Sequence, residues 1–302
     1  MATLNLKGGN IMAHITNVNI NTDKIDRDRR ILSLSDFHLT EDKGFEHLKE
    51  IKSKTDMTKI SHIVMPGDII NDVNELKDTK FRNKVLQALS DFGDDKHVFL
   101  SAGNHDQMTL NNKEWQRGDY SLLQETIEEL PKFHLLENGE RITVNDITYS
   151  AISPEFDYYE DENKKRKDLE NIEDYRRLFL DNFNANLFNK DTFNILLTHE
   201  PQSIIKLSKL RNRCIQYNTD LVLSGHMHDG VVPHFFKRFC GNMGIISPQM
   251  QLLPKYAHGT VEVGDTTFVI NGAVNAMVEK PLINKLYGAN ATVVDLVKTK
   301  RR

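Results

Sequence analysis

Five short motifs, each directly after an apolar segment, carry side chains that bind divalent metal ions. They are Asp36-Phe37-His38, Gly67-Asp68, Gly103-Asn104-His105-Asp106, Thr198-His199-Glu200 and Gly225-His226-Met227-His228. Polar residues at the ends of buried strands converge at one edge of a sheet, which is where α/β folds build active sites. This number of carboxylate, amide and imidazole groups suits two divalent ions that share a bridging carboxylate, and such a centre hydrolyses phosphoesters.

The spacing within the motifs favours shared ligation. Asp36 and His38 are two positions apart, as are His226 and His228, and on an extended backbone such side chains point the same way. Asp68 has two carboxylate oxygens and can therefore bridge two ions. Imidazole combined with oxygen ligands suits manganese, iron, zinc, cobalt or nickel, whereas calcium prefers shells of oxygen alone.

Each motif also has an ordinary interpretation when it is taken alone. An isolated Asp-x-His sequence is usually part of a loop, and Gly-Asp is common in turns. Gly-Asn-His-Asp and Gly-His-x-His are more specific. All five motifs in this order, each at the end of a predicted strand, favour a functional site over coincidence.

With these motifs, the chain resembles the calcineurin-like metallophosphoesterase superfamily, whose pattern is D-x-H, G-D, G-N-H-[DE], H and G-H-x-H. The matching motifs run from Asp36 to His228, and residues 244–271 further resemble a bacterial branch of that superfamily, cytoplasmic or secreted. The resemblance implies an α/β fold of two stacked mixed β-sheets flanked by helices, in four αββα layers. It also implies a dinuclear metal centre.

The resemblance assigns seven metal ligands. The first ion would be held by Asp36, His38 and His228, the second by Asn104, His199 and His226, and Asp68 would bridge the two. Because none of the seven positions is substituted, a degenerate scaffold without metal is disfavoured. Glu200 and Asp229 depart from the commonest flanking residues, and their roles stay open at this point.

A two-ion centre of this kind predicts hydrolysis of a phosphate mono- or diester by a metal-bridging hydroxide. Histidine titrates near neutrality and can donate a proton to a leaving alkoxide. We therefore assign His105, next to the ligand Asn104, as the general acid. Asp106 is expected to orient His105 by accepting a ring N–H, with a cap or turn role as the alternative.

Three further residues are candidates for substrate binding. Trp115, the only tryptophan, and Arg117 follow the Gly-Asn-His-Asp loop and suggest a platform for a nucleobase. The alternative for Trp115 is hydrophobic packing under a long loop. His258 is a candidate because it precedes Gly259 in the segment of family resemblance. Residues 234–239 suggest either a rim for phosphate or lipid or, as the favoured interpretation, phenylalanines packed against the second sheet.

Short β-branched apolar segments alternate with longer amphipathic ones, which is typical of strands separated by helices. The predicted strands cover residues 31–35, 62–65, 97–101, 141–144, 147–152, 193–198, 221–224, 267–270 and 292–296. The predicted helices cover residues 44–54, 79–92, 120–129, 169–185 and 202–211. This order indicates a mixed sheet or two stacked sheets covered by helices.

Composition limits the class of protein. The chain has 302 residues, of which 39% are hydrophobic and 27% charged, and a formal charge of −4. No segment approaches the roughly 18 consecutive apolar residues of a membrane span, and the N-terminus lacks the apolar centre of a signal peptide. These features predict a cytoplasmic protein with a polar arm over residues 1–30 and one domain over 31–302. A charged insertion near 155–190 is either a solvated loop or a lid.

Other functions remain possible at this stage. One alternative is a scaffold or binding module that keeps the fold without activity, and another is a nuclease. The acidic balance and the lack of a basic stripe disfavour duplex DNA as a partner. The expected partner is therefore a phosphoester that is a small molecule or a nucleotide.

Overall fold

The computed structural model describes residues 12–156, 158–159, 190–210, 219–248, 250–275 and 287–300, and the strands among them form two six-stranded sheets and one hairpin. Across the first sheet the strands are β1 (Ala13–Thr22), β14 (Ala289–Lys298), β2 (Arg29–Ser33), β3 (His62–Pro66), β4 (His97–Ser101) and β7 (Phe133–Leu135). Across the second they are β12 (Gly259–Val263), β13 (Thr266–Ile270), β11 (Leu221–Ser224), β10 (Phe193–Thr198), β9 (Ile147–Ile152) and β8 (Arg141–Val144). The hairpin consists of β5 (Met108–Asn111) and β6 (Glu114–Arg117).

The described helices connect and cover these strands. The α-helices are α1 (Phe45–Lys54), α2 (Thr79–Gly93), α3 (Ser121–Glu128), α4 (Pro201–Leu210) and α5 (Lys237–Cys240). Single 3₁₀ turns cover Met57–Lys59, Val73–Lys77, His105–Gln107, His228–Val231 and His234–Phe236. The Asp78 carboxylate accepts hydrogen bonds from the N–H groups of Lys80 and Phe81 and thereby caps the start of α2.

Alternation along the central strands builds the layers. On β2, Leu32 faces the helices α1 to α3, while Ile31 faces the second sheet. On β10, Ile195 faces the first sheet, while Leu196 packs with Ile204 of α4. Because successive side chains of a strand point to opposite faces, each sheet has one face against helices and one against the other sheet. The predicted αββα arrangement of two mixed sheets is therefore confirmed.

The parallel strands bring the five motifs to one end of the sandwich. In the first sheet β2, β3 and β4 are mutually parallel, and in the second β9, β10, β11 and β13 are mutually parallel. Each motif follows the carboxyl end of β2, β3, β4, β10 or β11. A hydrogen bond of 2.8 Å from Asn271 to Ser33 connects the two sheets close to this end. The polar ends of five strands are therefore concentrated in one region.

The predicted element bounds agree with the structure to within three residues at most ends. The predicted helix over 169–185 and most of the charged insertion lie outside the described residues, as does residue 211 of the helix predicted over 202–211. Within the described part of the chain, no helix combines the length and apolar character that crossing a membrane requires.

The described part of the predicted polar arm, residues 12–30, contains a strand. Residues 13–22 form β1, a ten-residue strand that pairs in parallel with β14 at the edge of the first sheet. Val18 and Ile20 pack toward the core between the sheets, while Asn17 and Asn19 are exposed. Alternating apolar and polar residues are the sequence signal of such an edge strand, and composition alone concealed it.

Candidate metal centre

Six of the predicted ligands form two clusters that share one carboxylate. One cluster is made of Asp36, His38, Asp68 and His228, and the other of Asp68, His199 and His226. Within each cluster the potential ligand atoms all lie within 4.8 Å of one another. All these side chains are buried except that of His228, which is partly exposed. This is the arrangement expected of two cation sites with Asp68 between them.

In the first cluster, lone pairs and carboxylates point toward a common space. The Nε2 atoms of His38 and His228 are 3.1 Å apart. His228 Nε2 lies 3.2 Å from Asp36 Oδ1, and His38 Nε2 lies 3.6 Å from Asp68 Oδ2. Two imidazole nitrogens and two carboxylates this close fit a divalent cation, which accepts electron pairs from all four.

In the second cluster, the backbone determines which histidine nitrogen is presented. The Nδ1–H of His199 donates to the carbonyl of Pro66 at 2.9 Å. The other ring nitrogen, Nε2, therefore faces the cluster and lies 3.1 Å from Asp68 Oδ2. A histidine whose second nitrogen is held by a carbonyl is the usual geometry of a metal ligand. The His226 ring completes the cluster, with its centroid 4.9 Å from that of His199.

Asn104 supplies an independent sign of a ligand site. Its Oδ1 atom is buried and has no hydrogen-bond partner among the described residues. A buried amide oxygen without a partner is destabilising, so such atoms are rare in folded proteins. A cation beside Asn104, as the motif predicts, would satisfy this oxygen.

The backbone is strained at five of the seven predicted ligands. The φ angles are 57° at Asp36, 45° at His38, 56° at Asp68, 69° at His226 and 46° at His228. Left-handed conformations are uncommon for residues other than glycine, and clusters of them mark functional sites. Hydrogen bonds hold these turns, because Asp68 O accepts from Phe37 N at 2.7 Å and Asp36 Oδ1 accepts from His226 N at 3.0 Å.

The glycines before the ligands allow the motif loops to touch. A Cβ atom on Gly67 would lie 2.5 Å from His199 Nδ1 and 2.8 Å from the Cα of Gly103. A Cβ atom on Gly103 would overlap Asp68 Oδ1 and lie 2.5 Å from the backbone nitrogen of Asp68. The small residues therefore determine how closely the strand ends approach, and the ligand distances follow from that approach.

The Gly103→Ala substitution is expected to displace the Asp68 carboxylate. Overpacking of this kind destabilises a protein by about 1–3 kcal/mol, and the displaced carboxylate should also weaken metal binding. Denaturant unfolding and metal analysis would measure the two effects. Gly241→Ala is the control for metal binding: its φ of 57° strains an alanine, but no atom lies within 4 Å of the place that a Cβ atom would take, so it should bind metal like the wild type. Equal metal binding by the Gly103→Ala protein and the wild type would contradict the packing argument.

Burial and close charges shift the pKa values of the cluster. Burial would raise the pKa of Asp36, but the neighbouring His228 and His199 rings lower it to about 2. Burial and the nearby His105 lower the pKa of His38 to about 3. Burial would lower the pKa of His199, but the Asp68 carboxylate raises it to about 10. Burial would raise the pKa of Asp68 as well, but His199 and His105 hold it well below its usual value, so Asp36 and Asp68 are both anions, the forms that bind cations.

Among the described residues, no hydrogen bond joins the Asp106 carboxylate to the His105 ring, contrary to the prediction. Its carboxylate is fully buried and accepts four backbone N–H groups, from Gly103, Asp68, Ile69 and Ile70, at 2.8–3.1 Å. Of the alternative, a cap or turn role, the structure shows the turn role, because these N–H groups belong to the Gly67–Ile70 and Gly103 loops and not to a helix start. Burial and the Asp68 carboxylate raise the pKa of Asp106 to about 7, against the effect of these N–H donors. Asp106 joins the Gly-Asp and Gly-Asn-His loops into one unit.

The Asp106→Asn substitution is expected to destabilise this unit. Asparagine has one acceptor oxygen and would bring an NH₂ group against N–H donors. Hydrogen bonds to charged groups contribute about 1.5–3 kcal/mol each, so we expect a loss of at least that size in the free energy of unfolding. Asp78→Asn is a suitable control, because asparagine caps a helix as well as aspartate does. An unfolding midpoint equal to that of the control would contradict the role of Asp106.

His105 is held by a different group from the one predicted. Its Nδ1–H donates to the backbone carbonyl of Asn71 at 2.8 Å, so Nε2 is the ring nitrogen left for proton transfer. Its backbone N–H donates to Asp68 Oδ1 at 2.8 Å, and its ring meets that of His38 edge-on at a centroid distance of 4.6 Å. His105 therefore stands beside the first cluster, as the sequence predicted.

The predicted substrate residues occupy different places. Trp115 on β6 is 40% exposed and meets His105 edge-on, with ring centroids 4.7 Å apart. Arg117 lies over the Phe156 ring at 5.5 Å. His258 instead lines a cleft of about 710 Å³ that none of the seven predicted ligands lines. The structure thus places Trp115 at the metal centre and His258 in a separate cleft.

The structure also shows the contacts of residues that flank the ligand motifs, namely the phenylalanines of residues 234–239, Glu200 and Asp229. The predicted packing of the phenylalanines against the second sheet is wrong, because Phe235 is 64% and Phe239 is 70% exposed. Glu200 accepts the N–H groups of Gln202 and Ser203 at 2.8 and 2.9 Å and caps α4. Asp229 pairs with Lys237 at 2.6 Å. Both acids therefore stabilise the elements next to ligand motifs.

Comparisons with known proteins agree with this geometry. A family model described as calcineurin-like phosphoesterase matches residues 29–230. An uncharacterized metallophosphoesterase of Campylobacter jejuni is 26% identical over 271 residues, which cover 86% of this chain and 57% of that protein. The chain thus spans little more than half the length of this curated relative.

Two solved structures are similar at low identity. A dimetal phosphatase from Danio rerio is 11% identical, with 82% of this chain and 88% of that chain covered and a TM-score of 0.42. GAP50, described as the anchor in the inner membrane complex of Plasmodium, is 15% identical, with 82% and 73% covered and a TM-score of 0.41.

Proposed function

The chain belongs to the calcineurin-like phosphoesterase family, and we propose that it hydrolyses a phosphate mono- or diester at the two-cluster site. The observation that carries this proposal is the position of Asp68 in both clusters of buried histidines and carboxylates. Two cation sites that share one carboxylate are the arrangement in which two ions act together on one phosphate.

The residues present fit two divalent ions. A cation would satisfy the unpartnered oxygen of Asn104. It would also accept electron pairs from His199 Nε2, which faces Asp68, and from the converging Nε2 atoms of His38 and His228. Imidazole and oxygen donors together favour manganese, iron, zinc, cobalt or nickel. Bound there, two such ions would supply Lewis-acid activation of water and compensation of charge on the phosphoryl oxygens.

The remaining work falls to residues of this chain. Asp68 would hold both halves of the site at a fixed separation, supported by Asp106 through the loop N–H groups. His105 would donate the proton from Nε2 to the leaving oxygen, because Asn71 engages its other nitrogen. The bond between phosphorus and the leaving oxygen breaks as a hydroxide oxygen bonds to phosphorus, and the proton from Nε2 neutralises the leaving oxygen.

A direct test combines metal analysis with an activity assay. The purified chain should contain or take up two divalent ions and hydrolyse 4-nitrophenyl phosphate or bis(4-nitrophenyl) phosphate with added manganese. Chelation should abolish hydrolysis, and readdition of metal should restore it. Uptake of two ions without turnover of either ester would overturn the enzymatic proposal and indicate a binding module. The natural substrate is proposed to be a small phosphoester or nucleotide.

A further inference from the structure

The β5–β6 hairpin places an aromatic surface directly beside the proposed acid. Trp115 contacts His105 at 4.7 Å between ring centroids, and His105 contacts the ligand His38 at 4.6 Å. The three rings thus form a continuous row from the metal cluster to the solvent. Trp115 ends this row with 40% of its surface exposed, so part of the indole is open to a ligand.

The hairpin is attached to the same loop that positions the catalytic groups. Asp72 Oδ2 accepts hydrogen bonds from Leu110 N at 2.8 Å and from Thr109 Oγ1 at 3.1 Å. The preceding residue, Asn71, provides the carbonyl that holds His105. The distance from the acid to the indole is therefore set by two adjacent residues of one loop, and not by a freely moving hairpin.

The turn of the hairpin supports this rigidity. Asn112 and Lys113 have φ angles of 50° and 69°, as a two-residue type I′ turn requires. Four residue pairs join the strands, including Leu110 opposite Trp115. Leu110 and Trp115 lie on one face of the hairpin, because directly opposed residues of an antiparallel pair share a face. The exposed indole is thus presented by a defined structure.

We propose that Trp115 is the residue that selects the substrate, by stacking against a planar group attached to the leaving oxygen. The substrate would then be a phosphoester of a nucleoside or of another alcohol that carries an aromatic ring. This inference rests on the proposed function, since it takes His105 as the acid. The acid must reach the leaving oxygen, and Trp115 lies on the solvent side of the acid, so the leaving group extends over the indole. Stacking on an aromatic side chain is favourable for every base.

Trp115 reports its own occupancy, because it is the only tryptophan of the chain. Adenosine 5′-monophosphate and glycerol 3-phosphate are matched probes, both with a primary alcohol as the leaving group. Added to metal-loaded protein, the adenosine ester should quench indole emission in a saturable way immediately after mixing, and the glycerol ester should not. The proposal would be overturned if indole emission stayed unchanged at concentrations of the adenosine ester at which calorimetry detects binding. It would also be overturned if calorimetry detected no binding of the adenosine ester.

Kinetic measurements distinguish two roles of Trp115, selection of the substrate and support of the His105 ring. The assay uses these two monoesters or their methyl diesters, whichever class the protein hydrolyses. Trp115→Ala should lower kcat/KM for the adenosine ester about ten- to a hundredfold. The same change should lower kcat/KM for the glycerol ester less than about threefold, and Trp115→Phe should keep most of the selectivity. Gln116→Ala is the control, because Gln116 is an exposed neighbour on the other face of β6.

The outcomes distinguish this inference from the proposed function. Equal losses for both esters would show that Trp115 only supports His105, which overturns substrate selection and leaves hydrolysis intact. Failure of the wild type on nitrophenyl esters would overturn the proposed function, while the fluorescence titration would still report stacking. Preference for the adenosine ester that survives in Trp115→Ala would place recognition elsewhere and overturn the inference.

Discussion

Replacing Asp68 with asparagine is expected to reduce metal binding from two ions to one or none and to lower kcat/KM by about 10³-fold, as the loss of a main electrostatic stabiliser does. Asp68 is the one side chain common to both clusters, and its Oδ2 lies 3.1 Å from His199 and 3.6 Å from His38. The amide has a single oxygen and no charge, so it cannot serve both positions. Metal content per chain and steady-state kinetics would measure the change.

The control for this variant is a second aspartate at the other end of the sandwich. Asp220 lies just before β11, whereas the ligand His226 follows that strand, and Asp220 pairs with Lys24 at 2.7 Å. Asp220→Asn should therefore keep both ions and the activity. Two ions bound as tightly in Asp68→Asn as in the wild type would contradict the bridging position of Asp68.

The strand ends that carry the metal ligands were predictable because their strands are buried on both faces. Such strands are short, continuous apolar segments, and polar motifs then mark where each one ends. The predicted bounds of β4, β10 and β11, each of which precedes a ligand motif, coincide with those observed. Parallel pairing then brings the motifs together without any further information, since the carboxyl ends of parallel strands lie on one side.

The peripheral strands were not predictable in the same way. The β5–β6 hairpin is largely exposed, and each of its strands has only four residues, which is too short for the alternation in Met108–Asn111 to predict a strand. Its position follows from the bonds between Asp72 and β5, which join residues 37 and 38 positions apart. The contact of Trp115 with His105 therefore depends on tertiary structure. The sequence indicated only that a tryptophan is a suitable residue type for binding a base. The segment 13–22 did have the alternation of a strand, but its many polar residues concealed it.

Proximity in the sequence did not predict which group orients the His105 ring. Asp106 follows His105 directly, which suggested that its carboxylate holds the ring. In the structure the chain enters a 3₁₀ turn at His105–Gln107, and this turn directs Asp106 into the Gly67–Ile70 backbone. The group that orients His105 is a backbone carbonyl at Asn71, and a carbonyl is present at every residue. No residue type in the sequence could identify it.

The His105→Ala substitution should leave metal content unchanged and lower kcat by about 10²–10⁴-fold on esters with alkyl leaving groups, the range typical of a lost general acid. Alanine keeps the backbone N–H that donates to Asp68 Oδ1, so the bridging carboxylate keeps this hydrogen bond. The ring itself contributes the proton at Nε2, because Nδ1 is bound to the Asn71 carbonyl. Metal analysis and initial rates would separate the two roles of the residue.

Leaving-group chemistry provides the decisive comparison for His105. A 4-nitrophenolate leaves without a proton, so its ester should lose much less activity in His105→Ala than an alkyl ester does. His134→Ala is the matched control, because His134 lies on β7, where its Nε2 is 3.0 Å from His97 Nδ1, and takes no part in either cluster. Equal losses for aryl and alkyl esters would mean that His105 stabilises charge or packs against Trp115 without donating a proton. A loss that grows with the basicity of the leaving oxygen is the signature of proton donation, and it would assign that role to His105 independently of the metal.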